Sequence, residues 1–271
     1  MCMYGYWPFE FMEYPETIFK DFKMEVFNRE SNNWIEVKYT HPNLTKEFLP
    51  ELIKYAHFLG IDIYAYIGLN SYNGGYSNVN KEKRMRLSTG NKFINDFDTL
   101  CLSDDSTINY LKKSIGITTN LGFDGIIFEE SEESFWYCSC ENCKEKFVKT
   151  SSGLGEAKHK ANYRLLSILH KVIENENPDC NVGLRAWREP PLEKEIEYLK
   201  NFEASIPKDV CLYWAPGLYV EESEFEKWVK VFGKERICAR DTEANAISAY
   251  TGRLIKIFND NVLRPGDEIN Q

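Results

Sequence analysis

Apolar residues return at helical spacing in one stretch after another. Each such stretch gives way, across a glycine or a short polar turn, to a brief run of β-branched and aromatic residues. Thr45–Leu59 sets the pattern. Phe48, Leu49, Leu52, Ile53, Ala56 and Leu59 fall on one face of a helix, Thr45 is placed to cap it and Gly60 to end it. Ile61–Leu69 then reads as a strand. The order repeats: Asp104 or Asp105 caps a helix over Ser106–Leu121, Gly122 stops it, and the apolar run Ile126–Phe128 follows. Downstream, helices are predicted over Lys144–Lys149, Glu156–Asn175, Leu192–Phe202, Glu221–Phe232 and Ala246–Phe258. Strands are predicted over Val182–Trp187, Val210–Trp214 and Ile237–Arg240, with Met3–Trp7 opening the chain. Glu16–Asn33 has no clean period and reads as irregular or weakly helical. Asn78–Phe97 reads as a polar insertion.

Strand alternating with helix calls for parallel strands joined by crossover helices. About six strands are counted. An eight-stranded barrel occupies about 250 residues, and this chain has 271. The expected fold is therefore α/β, a (β/α)8 TIM-barrel-like domain that is incomplete or excised from a longer chain, with residues 1–271 as one domain. No glycine-rich phosphate loop follows any strand, which disfavours a doubly wound nucleotide fold.

In such barrels, chemistry sits where strands end. The run Ile126–Phe128 passes directly into Glu129 and Glu130, with Glu132 and Glu133 beyond. Neighbours in an extended segment face opposite ways, so Gly125, Ile127 and Glu129 share one side and Asp124, Ile126, Phe128 and Glu130 the other. Glu129 is assigned to the interior and Glu130 to the rim. Adjacent acids in a partly dry pocket repel, and one of them keeps its proton near neutrality. A proton donor beside an ionised partner is what glycosidic bond cleavage requires. Other strand ends supply polar and aromatic side chains suited to a sugar: Asn70, Tyr72 and Asn73, then Arg185 and Trp187, then Tyr213 and Trp214, then Asp241 and Glu243. The aromatics would stack on sugar faces, and Asn70, Arg185 and Asp241 would hold hydroxyls or a uronate.

Composition narrows the partners. Aromatic residues make up 14% of the chain, and the formal charge is −9 with no basic–aromatic run, which argues against nucleic acid. No apolar run is long enough to span a membrane. The first residues lack the charged and apolar regions of a signal peptide, so a cytoplasmic location is expected, with secretion open if a leader was removed. Oligomeric state is not legible. Of eight cysteines, Cys138, Cys140 and Cys143 lie together. A structural zinc takes about four ligands, and the fourth is open among Cys101, Cys180, His159 and water. Independent thiols or a disulfide are the competing readings. No cofactor is required for the expected chemistry.

The strand ending in Glu129-Glu130, with the loop Trp136-Tyr-Cys-Ser-Cys-Glu-Asn-Cys, resembles the barrel domains of bacterial glycoside hydrolases. α-Glucuronidase-like and hexosaminidase-like families are the nearest in pattern. Leu100-Cys-Leu-Ser-Asp, followed by a helix into Gly122-Phe-Asp-Gly, is similar to their third-to-fourth strand layout. The resemblance runs over roughly 45–245. It implies a barrel, a carbohydrate or glycoside substrate, and acid/base roles for Glu129 and Glu130. Hexosaminidases end this strand in Asp-Glu, where this chain has Glu-Glu. Two readings stand beside the hydrolase: a non-catalytic carbohydrate-binding barrel or pseudoenzyme of a larger protein, and a protein whose cysteine loop holds a structural zinc.

Overall fold

The expected alternation is present in the structure, a computed structural model that describes residues 2–5, 22–28, 31–39, 47–70, 73, 76–77, 80–86, 99–129, 138–186, 193–214 and 222–239. It is a mixed α/β arrangement of parallel strands connected by helices, with one separate antiparallel hairpin. The chain divides into two compact units, Met1–Val182 and Gly183–Gln271.

In the first unit, strand β1 (Cys2–Gly5) is followed by a hairpin of β2 (Phe22–Asn28) and β3 (Asn33–Tyr39). The hairpin corrects the irregular or helical expectation for Glu16–Asn33. Phe22, Met24 and Val26 alternate with Lys23 and Glu25, a period of two that the antiparallel partners Tyr39, Val37 and Ile35 complete. Helix α1 (Phe48–Phe58) buries Leu49, Ile53 and Ala56 of the predicted face; Phe48 and Leu52 are half-buried and Leu59, past its end, is exposed. Glu47 precedes it without making a side-chain cap, and Thr45 lies outside the described residues. Gly60 follows at φ 70°, a left-handed conformation that glycine adopts without strain.

Strand β4 (Ile63–Gly68) lies between β1 and β5 (Gly125–Glu129), parallel to both. Every residue of β5 is buried. Burial on both faces is the condition of a parallel strand covered by helices, and it explains why β5 reads as a continuous apolar run. Helix α2 (Asp105–Asn120) and helix α3 (Leu154–Glu176) pack on each other. Ile108, Leu111 and Ile115 of α2 and Leu165, Leu166, Leu169 and Ile173 of α3 are all buried. Each large side chain so enclosed contributes roughly 1.5–3 kcal/mol.

Between β4 and α2, residues 83–86 and 99–101 form a short antiparallel pairing centred on Arg84 and Leu100. Part of the polar insertion is therefore a built element. The predicted helix at Lys144–Lys149 is a π-helical turn over Lys144–Val148, preceded by a single turn at Glu141–Cys143.

Strand β6 (Asn181–Ala186) runs across the division between the units. The second unit continues with α4 (Glu193–Glu203), β7 (Cys211–Trp214), α5 (Glu222–Phe232) and β8 (Ile237–Ala239). Within it β7 lies between β6 and β8, parallel to both, and α4 packs against α5. Among the described residues no helix is long and apolar enough to cross a membrane. The predicted helix over Ala246–Phe258 lies outside the described residues.

Candidate functional site

Two features of the first unit bring together side chains able to do chemistry, one at the end of β5 and the other in the segments that follow β4 and β5. The first is Glu129, the last residue of β5 and the register partner of Gly68 in β4. It is 5% exposed. Ionisable side chains are seldom enclosed to that degree without a reason. The backbone around it is pinned: the carbonyl of Glu129 accepts from the amide of Leu69 at 2.8 Å. At the opposite end of the strand, Gly125 sits under the ring of Tyr64 and against the carbonyl of Asn181. The strand thus begins at a crowded glycine and ends at a buried acid, with all five residues buried.

The second feature is a cluster of four thiols. Cys138, Cys140 and Cys143 come from one loop, and Cys101 comes from the strand-like segment before α2. The Cys101 sulfur lies 3.6 Å from that of Cys138, 3.6 Å from Cys143 and 3.7 Å from Cys140. All four lie within 4.8 Å of one another, and all are free thiols. A disulfide needs about 2.05 Å. A tetrahedral zinc with bonds of about 2.3 Å would hold its sulfurs about 3.8 Å apart; the three separations from Cys101 match that spacing, and the rest lie within 4.8 Å. Of the four candidates for the missing ligand, the fold brings Cys101 to the loop.

The surroundings suit thiolates. The amide of Arg86 donates to the Cys138 sulfur and the amide of Cys143 to the Cys140 sulfur, both at 3.4 Å. The Ser103 hydroxyl is 3.2 Å from Cys101 and 3.5 Å from Cys140. Thiol hydrogen bonds from Cys138 and Cys143, helped by Ser103, hold Cys101 far below the usual thiol range against the effect of burial. The same bonds push Cys138 and Cys143 upward, because each holds its proton toward the Cys101 sulfur. The cluster is a set of soft donors whose remaining protons a thiophilic cation would displace. Cys138 and Cys143 also border a cavity of about 50 Å3 lined in addition by Asn70, Leu102, Phe147 and Asn162.

The remaining sequence-predicted residues distribute as follows. Asn70 is 7% exposed and faces the cysteine side of the first unit, where it meets Leu100. In the second unit Arg185 and Tyr213 are register partners across β6 and β7, and Tyr213 is buried. Trp214 closes β7 by its backbone. Glu130, Tyr72, Trp187, Asp241 and Glu243 lie outside the described residues. The polar ladder of 83–86 and 99–101 was missed in the sequence. Its signal, the pair Arg84 and Leu100, is too short to show a period.

No family model matches the chain, and no curated protein matches it. Solved structures that overlay on it include a mutant of the O-GlcNAc hydrolase of Thermobaculum terrenum, at 15% identity and a TM-score of 0.45, covering 74% of this chain and 37% of that one. The exo-β-N-acetylglucosaminidase of Vibrio harveyi with N-acetylglucosamine overlays at 12% identity and a TM-score of 0.49, covering 77% and 31%. The glycoside hydrolase domain of PelA from Pseudomonas aeruginosa overlays at 12% identity and 0.39, covering 61% and 55%. The chain spans about a third of the length of the first two. Identities and scores at this level establish no family.

Proposed function

We propose that this chain is a glycoside-hydrolase-like (β/α) barrel domain that acts on a carbohydrate through acids at the end of β5. The observation that carries the reading is Glu129: a carboxyl group 5% exposed, at the C-terminal end of a fully buried parallel strand. Barrel enzymes present their chemistry at that end of their strands, where loops and strand termini surround a substrate. Glu129 serves as general acid or base, and Glu130 as its partner carboxylate. Asn70 and Tyr72, which follow β4 in the same unit, supply sugar contacts. The test is a screen of aryl glycosides and aryl uronides against the wild type, Glu129→Gln and Glu130→Gln. Turnover lost by at least a hundredfold in Glu129→Gln, with the fold retained by circular dichroism, is the expected result. Activity that survives both substitutions removes the assignment. Sugar binding by calorimetry without turnover supports instead a carbohydrate-binding domain or pseudoenzyme of a larger protein.

A second reading has its own observation, the four sulfurs spaced for a tetrahedral ion. The cluster holds a structural zinc, bound by Cys101, Cys138, Cys140 and Cys143. It ties the segment before α2 to the loop after β5 and takes no part in bond cleavage. The expected result is one equivalent of zinc per chain by elemental analysis. Cys140→Ser should weaken it by more than the roughly 10–100-fold that loss of an outer-shell partner causes. Protein purified under reducing conditions that binds no zinc, cobalt or cadmium would remove this reading.

A further inference from the structure

We infer that Asn70 is a positioning residue that couples occupancy of the cysteine cluster to the strand end bearing Glu129. The inference rests on the metal reading above. Asn70 lies two residues past the end of β4 and is bound twice to Leu100, the neighbour of Cys101 in the chain. Its backbone carbonyl accepts from the Leu100 amide at 2.8 Å, and its side-chain Nδ2 donates to the Leu100 carbonyl at 3.3 Å. The side-chain amide thereby continues a ladder that the β4 backbone has already left. On the other flank, Leu69 donates to the carbonyl of Glu129 at 2.8 Å. Cys101, Leu100, Asn70, Leu69 and Glu129 form one connected series. Leu69 and Leu100 are each 1% exposed, so neither has room to relax sideways.

The far edge of the same ladder also ends on the cluster. The Cys101 amide donates to the Lys83 carbonyl at 2.9 Å and the Met85 amide to the Thr99 carbonyl at 2.8 Å. The Arg86 amide reaches the Cys138 sulfur, and the Ser139 amide returns to the Arg86 carbonyl at 2.6 Å. A cation that fixes four sulfurs therefore fixes both edges of the ladder at once, and Asn70 passes that constraint to β4 and β5. One detail shows what the side chain is kept for. Its Oδ1 is buried and has no hydrogen-bond partner among the described residues. An orphaned buried acceptor is a cost, accepted here alongside a donor that reaches Leu100. Coupling of this kind is reciprocal: if the ion orders the strand end, loosening the link weakens the ion.

The experiment compares wild type and Asn70→Leu, which keeps the volume and removes the donor, with Asn70→Ala as a second variant should the first not fold. Cobalt(II) reports the ligand set by its thiolate charge-transfer and d–d absorption. Amide hydrogen exchange, measured on zinc-loaded and metal-free protein, reports Leu69 and Leu100. In the wild type, zinc slows exchange at both amides by about tenfold or more. In the variant, the cobalt spectrum and the one-to-one stoichiometry are unchanged and affinity falls roughly two- to tenfold, the value of one hydrogen bond. The zinc-dependent slowing at Leu69 shrinks by at least half, with the backbone bond from Leu100 to Asn70 retained. Zinc-independent exchange at Leu69 in the wild type, beside a normal cobalt spectrum, overturns the inference and leaves the metal reading standing. The same holds if the variant retains the full slowing at Leu69. A cobalt titration without thiolate bands overturns both.

Discussion

Gly125 shows how a single position can decide whether β5 reaches its place. A side chain there would run into the Tyr64 ring and bring its Cβ to 2.9 Å from the Asn181 carbonyl. The ring has some freedom to swing; the carbonyl, part of a strand backbone, has little. Gly125→Ala should therefore destabilise the protein by about 1–3 kcal/mol through overpacking, although alanine ordinarily favours order over glycine. Chemical denaturation of the two proteins measures the difference, and an alanine variant as stable as the parent would show the crowding to be illusory. The strand Gly125–Glu129 was legible in the sequence as an apolar run ending in an acid; burial of all five residues does not separate an inward row from an outward one. The loop cysteines were legible because they lie together in the chain. Their partner was not: Cys101 stands 37 residues before Cys138, and spacing alone left it level with Cys180 and His159. Cys180 is instead buried away from the cluster, its thiol against the Asn181 carbonyl at 3.9 Å, where burial and the nearby Asp124 raise it to about 11.

Among the elements, helix α2 depends on its first turn. Asp104 stands in extended backbone before it and accepts from the Ser106 amide at 2.8 Å, the Ser106 hydroxyl at 2.5 Å and the Thr107 amide at 3.4 Å. Lys83 reaches its other oxygen at 3.1 Å, so the cap also anchors the ladder segment that precedes Cys101. Burial alone would push this carboxyl up, but the Ser106 hydroxyl, Lys83 and the two amides together hold it below its ordinary 3.8. A carboxyl depressed on folding lends stability above its unfolded value and loses it as pH falls through the lower folded value. Asp104→Ala should cost about 1 kcal/mol at pH 7. Asp104→Asn keeps the cap but not the charge, so its deficit against wild type should close as pH falls below about 4. Thermal melts across pH 3–7 measure this; a gap that is constant with pH would mean that the charge contributes nothing. The sequence pointed to Asp104 or Asp105 because a cap precedes a helical period. It did not reveal the hairpin β2–β3, where Lys23 and Glu25 interrupt the apolar residues of Phe22–Asn28 and Glu36 and Lys38 those of its partner. Nor did it show where the helix at Lys144 becomes π-helical, since the apolar spacing of five residues does not separate the two.

For the molecule as a whole, the division at Val182 separates two sources of stability. In the first unit the metal reading adds the cysteine cluster to the packed core; in the second a buried ion pair is centred on Arg236, just before β8. Its guanidinium pairs with Glu203 at the end of α4 and donates to the Val210 carbonyl at 2.9 and 3.0 Å and to the Pro207 carbonyl at 3.3 Å. Glu203 is 7% exposed, so removing its partner leaves a charge in a poor solvent. Lys208 still reaches it at 2.7 Å, which places Arg236→Gln at roughly 2–3 kcal/mol, below the 3–5 kcal/mol of a wholly orphaned charge. Cys140→Ser should cost stability of its own in zinc-loaded protein, through lost metal binding. Neither residue shares a partner with the other, so the double variant should equal the sum of the single ones within about 0.5 kcal/mol. Denaturant titrations of the four proteins close that cycle. A deficit or surplus well beyond that margin would mean that the two units fold as one body, and that the ion's hold on the first extends to the second.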